Sequence, residues 1–157
     1  MKWFANLRTL LIAMWLGAAL FFSFAVAPSA FAILSSREAA GAVVSRTLAI
    51  VNYSGLIVGL ILLASSFILS RRDILIWAER ISLAVLAIAC AVGQFVIGAR
   101  LHNLREQTGR PIEELAIDAP LRVEFNNLHA ISVWVLIIGM IAALVSYFLI
   151  ARGLEKN

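Results

Sequence analysis

Four long stretches of this chain contain no charged residue, and they limit the fold more than any other feature of the sequence. They are residues 9–34, 47–70, 81–99 and 130–151. A helix needs about 20 consecutive apolar residues to cross a bilayer, and each stretch is about that long. We therefore expect an all-α integral membrane protein, a four-helix up-down bundle that forms one domain over residues 1–157. Helices 2, 3 and 4 are expected to extend beyond the lipid on the outer side, opposite the termini.

The composition supports a membrane protein and argues against a nucleic-acid-binding protein. Hydrophobic residues make up 62% of the chain and charged residues 14%, with a mean hydropathy of +0.96. Soluble domains carry about 25% charged residues. The formal charge of +4 is typical of loops beside anionic lipid, so no nucleic-acid partner is expected. Cys90, the single cysteine, lies in an apolar stretch and is expected to be a small buried residue.

Local signals predict where the helices begin and end. Ser35 and Glu38 have the spacing of a capping box, so the second helix should start there. The third helix should reach about Thr108, because a glycine and then a proline follow. Asp118 is the predicted N-cap of the fourth helix. Pro28 is expected to kink or end the first helix.

Two sets of residues are predicted to bring helices together. Residues three or four positions apart share a helix face, and the first helix has an apolar stripe of this kind. The stripe consists of Gly17, Phe21, Phe24, Pro28 and Phe31. We expect it to pack against other helices, as we also expect for Phe125 in the fourth helix. Gly55 and Gly59 form a small-xxx-small pair that lets another helix approach closely.

Polar residues cluster where the fourth helix enters the membrane. Arg122, Phe125, His129 and Ser132 lie on one stripe of this helix. The up-down order of the helices should bring further polar residues to the same membrane face. These are Arg46, Arg100, His102 and Glu124. Gln94 and Gly98 share a face of the third helix with His102.

This polar patch has two interpretations. In the first, His129 together with His102 binds a metal or haem or relays protons, because ionisable residues in membranes are expensive and often functional. In the second, the patch lies at the headgroups and organises helix packing or a partner contact. His129 would then bond to Ser132 or a backbone carbonyl, and the arginines would reach lipid phosphates. We predict no cofactor, with haem or metal as the alternative.

Signals for enzymatic or transport activity are weak. The sequence has no phosphate-binding glycine loop, nucleophile elbow or acidic metal motif, so an enzyme is the less favoured prediction. The centres of the four apolar stretches carry no charge, and their few polar residues, such as Asn52 and Ser54, can bond to backbone carbonyls. A transport path usually needs polar lining. A small transporter would therefore have to form between several copies of the chain.

Three stretches resemble the transmembrane protein 205-like family, known in bacteria as domain of unknown function 4149. They are Trp15-x-Gly17 with the phenylalanines that follow, the segment 37–46, and Leu121-Arg122-x-x-Phe125-x-x-x-His129-x-x-Ser132. The resemblance implies a four-helix membrane protein without an established molecular activity. The chain departs from the family pattern at Thr47-Leu48, where an aromatic-proline pair is common, and in lacking a histidine in its first helix.

The distribution of basic residues predicts the orientation of the chain. The side with both termini carries slightly more lysine and arginine, which favours cytoplasmic termini. We expect the protein in a bacterial cytoplasmic membrane. The expected partners are membrane lipids, with a second copy of the chain or another membrane protein as possible additions.

Overall fold

The computed structural model describes residues 2–68 and 74–155, and the described residues form helices without any strand. Helix α1 covers Lys2–Phe21, a π-helical turn at Phe22–Val26 and Ala27–Ile33, and helix α2 covers Arg37–Ile68. Helix α3 covers Ile74–Ala91, a π-helical segment at Val92–Gly98 and Ala99–Thr108. A short 3₁₀ turn, Ile112–Glu114, leads to helix α4 at Pro120–Glu155.

The four helices form an up-down bundle in which each helix packs against two neighbours. Helices α1, α2, α3 and α4 contact one another in chain order, and α4 closes the ring against α1. All four are long and apolar enough to cross a membrane. Large apolar side chains such as Ile57, Ile88 and Ile141 are more than half exposed on the outside of the bundle. These features confirm the expected all-α integral membrane protein whose surface contacts lipid.

The two ends of the bundle differ, and we refer to them as the loop end and the terminal end. The loop end holds the turn at 34–36 and the connection at 109–119. The terminal end is where α1 begins and α4 ends. Helix α2 ends and helix α3 begins at the terminal end, and residues 69–73 lie outside the described part of the chain.

The start of α2, the end of α3 and the start of α4 agree with the predicted signals to within one residue. The Ser36 hydroxyl accepts a hydrogen bond from the Ala39 amide at 3.1 Å, so Ser36 caps α2 and the prediction of Ser35 as the cap is wrong. Ser35 and Ser36 carry the same hydroxyl group, and the path of the chain places the hydroxyl of Ser36 at the Ala39 amide. Gly109 ends α3 as predicted, with a φ of 60° that favours glycine. Helix α4 begins at Pro120, one residue later than a cap at Asp118 requires.

Pro28 lies inside helix α1, and the helix continues through it to Ile33. A proline within a helix lacks an N–H and its ring collides with the carbonyl four residues earlier, here that of Phe24. The π-helical turn at Phe22–Val26 contains this residue. Widening the helix there accommodates the ring, so of the two predicted outcomes, a kink or an end of the helix at Pro28, the end is wrong.

The apolar stripe of α1 does not pack within the bundle, which corrects the sequence prediction. All five of its residues are exposed: Gly17, Phe21, Phe24, Pro28 and Phe31. The face that α1 buries instead contains Ile12, Trp15, Ala19 and Phe22. Lipid tails are as apolar as a protein core, so apolarity alone does not identify the buried face of a membrane helix.

Trp15 occupies the centre of the bundle at mid-height. Its indole nitrogen donates a hydrogen bond to the Val51 carbonyl at 2.9 Å. The ring lies directly against Gly55, where a methyl group would come within 2.5 Å of the indole nitrogen. At Gly59 a methyl group would lie 3.3 Å from the Ala87 methyl carbon, so the predicted close approach at the glycine pair is confirmed. Because α1, α2 and α3 meet here, we refer to Trp15, Gly55 and Cys90 as the tryptophan layer.

Candidate functional site

A cavity of about 540 Å³ opens at the loop end, and we refer to it as the cup. All four helices and the α3–α4 connection contribute to its lining. Its walls include Phe31 from α1, Gly41 from α2, Arg105 from α3 and His129 from α4. A cavity of this size lies in the range that small-molecule sites occupy.

Arg105 is the half-buried cation of the cup. Its Nη1 donates a hydrogen bond to the Ser45 hydroxyl at 3.0 Å, and its guanidinium carbon lies 5.1 Å from the centre of the Phe125 ring. Gly41 leaves it room, since a methyl group there would lie 3.1 Å from Nη2. In the part of the chain that the structure describes, no carboxylate lies within 4.0 Å of Arg105. The nearest partners of this charge are therefore neutral.

Other charged residues of both signs also line the cup. Arg37 and Arg110 add positive charge, while Glu38 and Glu113 add negative charge. The described ion pairs include none of these four side chains. The cup therefore has a polar rim of mixed sign around a single deeper guanidinium.

Sequence reasoning missed Arg105, although a signal for it exists. The structure confirms that Gln94, Gly98 and His102 share a face of α3, because all three line one cavity. Arg105 lies three residues beyond His102, on the same side of the helix. Continuing the stripe by one step identifies it.

Arg122 holds the α3–α4 connection in place. Its Nη1 donates to the carbonyl of Leu115 at 2.6 Å and to the carbonyl of Glu113 at 3.2 Å. Both acceptors belong to the connection that forms one side of the cup. This member of the predicted patch therefore has a structural partner on the loop.

Replacing Arg122 by alanine is expected to loosen the connection. Each lost hydrogen bond to a charged donor is worth about 1.5–3 kcal/mol locally. The amides of Glu114 and Leu115, which bond within the 3₁₀ turn, should exchange with deuterium about tenfold faster or more. Arg100→Ala is the control, since it removes an arginine from the same end without touching the turn. Equal exchange in both variants would contradict the assigned role of Arg122.

Arg100 and Glu124 form an ion pair between α3 and α4. The nitrogen Nη2 and the oxygen Oε1 are 2.7 Å apart, and both side chains are substantially exposed. An exposed pair of this kind contributes about 0.2–1 kcal/mol. These two residues of the predicted patch join neighbouring helices outside the cup.

The two histidines line different cavities. The exposed His102 places Nε2 3.2 Å from Glu106 Oε1, one turn along the same helix. His129 lines the cup, and its backbone carbonyl accepts a hydrogen bond from the Ser132 hydroxyl at 2.7 Å. His102 lines a different cavity. Among the described residues, no group of three or more His, Cys, Asp or Glu side chains is arranged to hold a metal ion.

That second cavity, which we call the slot, lies between α2 and α3 and has a volume of about 250 Å³. Arg46 and His102 line its end nearest the loops, and the buried Asn52 lies at its deep end. The π-helical segment of α3 forms one wall, where Gly93 faces Asn52. A methyl group at Gly93 would lie 3.2 Å from the Asn52 amide nitrogen.

A buried ion pair at the terminal end was also missed. Arg8 and Glu79 are each 3% exposed, and Arg8 Nη2 donates to Glu79 Oε1 at 2.5 Å and to the Leu62 carbonyl at 3.1 Å. The pair crosses the bundle from α1 to α3. Helical spacing gives a signal for it, since Arg8 lies four and seven residues before the core residues Ile12 and Trp15.

Comparison with known proteins gives one finding about the family. The family model described as "Domain of unknown function (DUF4149)" matches residues 10–110, which include α2, the tryptophan layer and Arg105. No curated protein and no solved structure matches the chain significantly.

Proposed function

The chain belongs to the DUF4149 family of unknown function, and we propose that this member is a non-enzymatic membrane protein that binds an oxyanion, a carboxylate or a phosphate, at Arg105 in the cup. The observation that carries the proposal is the half-buried guanidinium whose described partners are all neutral. Keeping a cation in a cavity with no carboxylate at ion-pair distance costs free energy, and Glu38 and Glu113 attract Arg105 only from farther away. A bound oxyanion would provide a counter-charge in direct contact.

The chemistry of arginine favours this type of ligand. A guanidinium presents five N–H donors in a planar fork that matches carboxylate and phosphate groups. The described hydrogen bond to Ser45 uses one nitrogen of Arg105. Donors are therefore left for a ligand that binds through two oxygens. The acidic Glu38 and Glu113 lower the positive potential of the rim, so we expect modest affinity for a small free anion.

Binding of inorganic phosphate and acetate tests the proposal. We expect millimolar affinities for the protein in a neutral maltoside detergent, measured by calorimetry and by ³¹P line broadening for phosphate. Arg105→Gln should weaken binding about tenfold or more, because a charged hydrogen-bond donor is lost. The affinity of Arg105→Lys should lie between those of the unmodified protein and Arg105→Gln, since lysine keeps the charge but lacks the planar fork of donors.

Arg100→Gln is the matched control. It removes an arginine at the same end of the bundle, but from the exposed pair with Glu124 and not from the cup. We expect it to bind both anions like the unmodified protein. If Arg105→Gln and Arg100→Gln bind alike, Arg105 is not an anion site and the proposal fails.

The remaining patch residues are proposed to support the cup and not to react. Arg122 fixes the connection at its side, and Arg100 with Glu124 joins the helices beside it. The Ser132 hydroxyl is bonded to a carbonyl and not to an imidazole, so it has no described base. No observation favours a shared haem or metal site for His102 and His129, because they line different cavities.

The location of the protein completes the proposal. We propose a bacterial cytoplasmic membrane with both termini in the cytoplasm, supported by the slight excess of basic residues at that end. The cup would then open at the outer face of the membrane, opposite the cytoplasm. We also propose kinship with the transmembrane protein 205-like proteins. The same proposal includes assembly with a second copy or another membrane protein, and it includes no nucleic-acid binding.

The tryptophan layer bears on the transporter alternative. It fills the bundle between the cup and the terminal end, where the Arg8–Glu79 pair is buried. A path for solutes through a single copy would have to displace Trp15. Transport would therefore require a path between several copies of the chain.

A further inference from the structure

The cup and the slot are neighbouring cavities that share one wall. Both are lined by the same five residues: Ser45, Leu48, Leu101, Arg105 and Ser132. The hydrogen bond between Arg105 and Ser45 joins α3 to α2 at this wall. A ligand bound to Arg105 in the cup therefore lies next to the slot.

The slot lies at the side of the bundle and points into the membrane. Its lining comes from α2 and α3, with Ser132 as the contribution of α4. Asn52 follows Arg46 by six residues, which places it about 9 Å closer to the membrane centre. The exposed rings of Tyr53 and Phe95, each adjacent in sequence to a residue that lines the slot, meet edge to face between α2 and α3 with centroids 5.8 Å apart.

The slot contains a polar group with no described partner. Asn52 is 5% exposed, and the described residues make no hydrogen bond to its side-chain amide. Asn52 lines the slot, so its amide can bond to a molecule that occupies this cavity. Gly93 keeps space open beside the amide nitrogen, and apolar Leu48, Ala49 and Ile97 line the same cavity.

We propose that the ligand of the cup is a membrane-borne phospho-amphiphile of the lysophospholipid type. Its phosphate binds Arg105, its ester carbonyl accepts a hydrogen bond from the Asn52 amide, and its acyl chain leaves between α2 and α3. The proposal rests on the proposed function and names the ligand class and the route of entry. Arg105 and Asn52 are thereby paired, while the alkyl chain stays in contact with lipid.

Three probes separate a lipid source from a free anion: inorganic phosphate, dodecyl phosphate and a 12-carbon lysophosphatidic acid. Their binding to the full chain is measured by calorimetry in a neutral maltoside detergent. We expect lysophosphatidic acid to bind at least about tenfold more tightly than phosphate, because its chain and carbonyl add contacts. Dodecyl phosphate, which has no carbonyl, should fall between them.

Two variants test the slot itself. Ala49→Phe fills it and should reduce lysophosphatidic acid binding to the level of phosphate while phosphate binding stays unchanged. Asn52→Leu is similar in size and should abolish the preference for lysophosphatidic acid over dodecyl phosphate, a loss of about tenfold or less. Ala64→Phe, on the exposed face of the same helix, is the control and should change nothing.

The possible results distinguish the two proposals. If phosphate binds but Ala49→Phe and Asn52→Leu leave lysophosphatidic acid binding unaltered, the slot inference is overturned and the oxyanion site remains. If none of the three probes binds, both proposals are overturned. Phosphate binding by each variant also reports that the variant is folded.

Discussion

Glu79→Ala is expected to lower the free energy of unfolding by about 3–5 kcal/mol, among the largest effects of any single substitution in this chain. The substitution leaves the Arg8 guanidinium buried without its carboxylate, with the Leu62 carbonyl as its described partner. A buried charge that loses its counter-charge has neither water nor an ion to replace it. The measurement is unfolding in maltoside micelles titrated with sodium dodecyl sulfate.

Removing both charges should be much less harmful than removing one. Arg8→Met combined with Glu79→Leu replaces the pair by apolar side chains, and such replacements of buried pairs are often neutral. Glu124→Ala, which breaks the exposed pair with Arg100, is expected to cost about 1 kcal/mol or less. A loss for Glu79→Ala as small as that for Glu124→Ala would show that the Arg8–Glu79 pair is not buried in the protein.

Gly55→Ala is expected to destabilise the bundle by about 1–3 kcal/mol through overpacking. The added methyl group would lie 2.5 Å from the Trp15 indole nitrogen and 2.6 Å from the Cys90 sulfur, so one of these groups must move. Movement of Trp15 would also weaken its hydrogen bond to the Val51 carbonyl. The same detergent titration measures the loss.

Gly17→Ala provides the matched control in a neighbouring helix. Gly17 is exposed and a methyl group there meets nothing within 4 Å. Alanine has the higher helix propensity, so the variant should be unchanged or up to about 1 kcal/mol more stable. Similar losses at Gly17 and Gly55 would mean that close packing at the tryptophan layer is not what makes Gly55 necessary.

The sequence predicts the helices well because charge-free length is a strong constraint in lipid. It predicts the start of α2 to within one residue, since Ser35 and Ser36 are chemically equivalent caps and only the chain path separates them, but it does not predict that α1 continues past Pro28 to Ile33. It does not predict which face is buried. The exposed Phe21 and the buried Phe22 are adjacent and identical, and their environments follow from tertiary packing.

The candidate site was predicted in part. The polar residues of α4 lie at the loop end, and His129 and Ser132 line the cup. The charge at the centre of the cup, Arg105, comes from α3, in a segment where several arginines have similar sequence surroundings. The stripe of Gln94, Gly98 and His102 leads to Arg105, but which stripe of α3 faces a cavity depends on tertiary packing, and the sequence pattern does not give it.

The tryptophan layer gives the molecule two halves with separate energetics. Trp15 lies seven residues, about 10 Å, from Arg8 along α1, and its indole ring closes the interior to water from either side. Substitutions at Arg105 and at Glu79 share no contact, so their effects on unfolding should simply sum. The lining of the cup can thus change during evolution without weakening the buried ion pair that stabilises the other half.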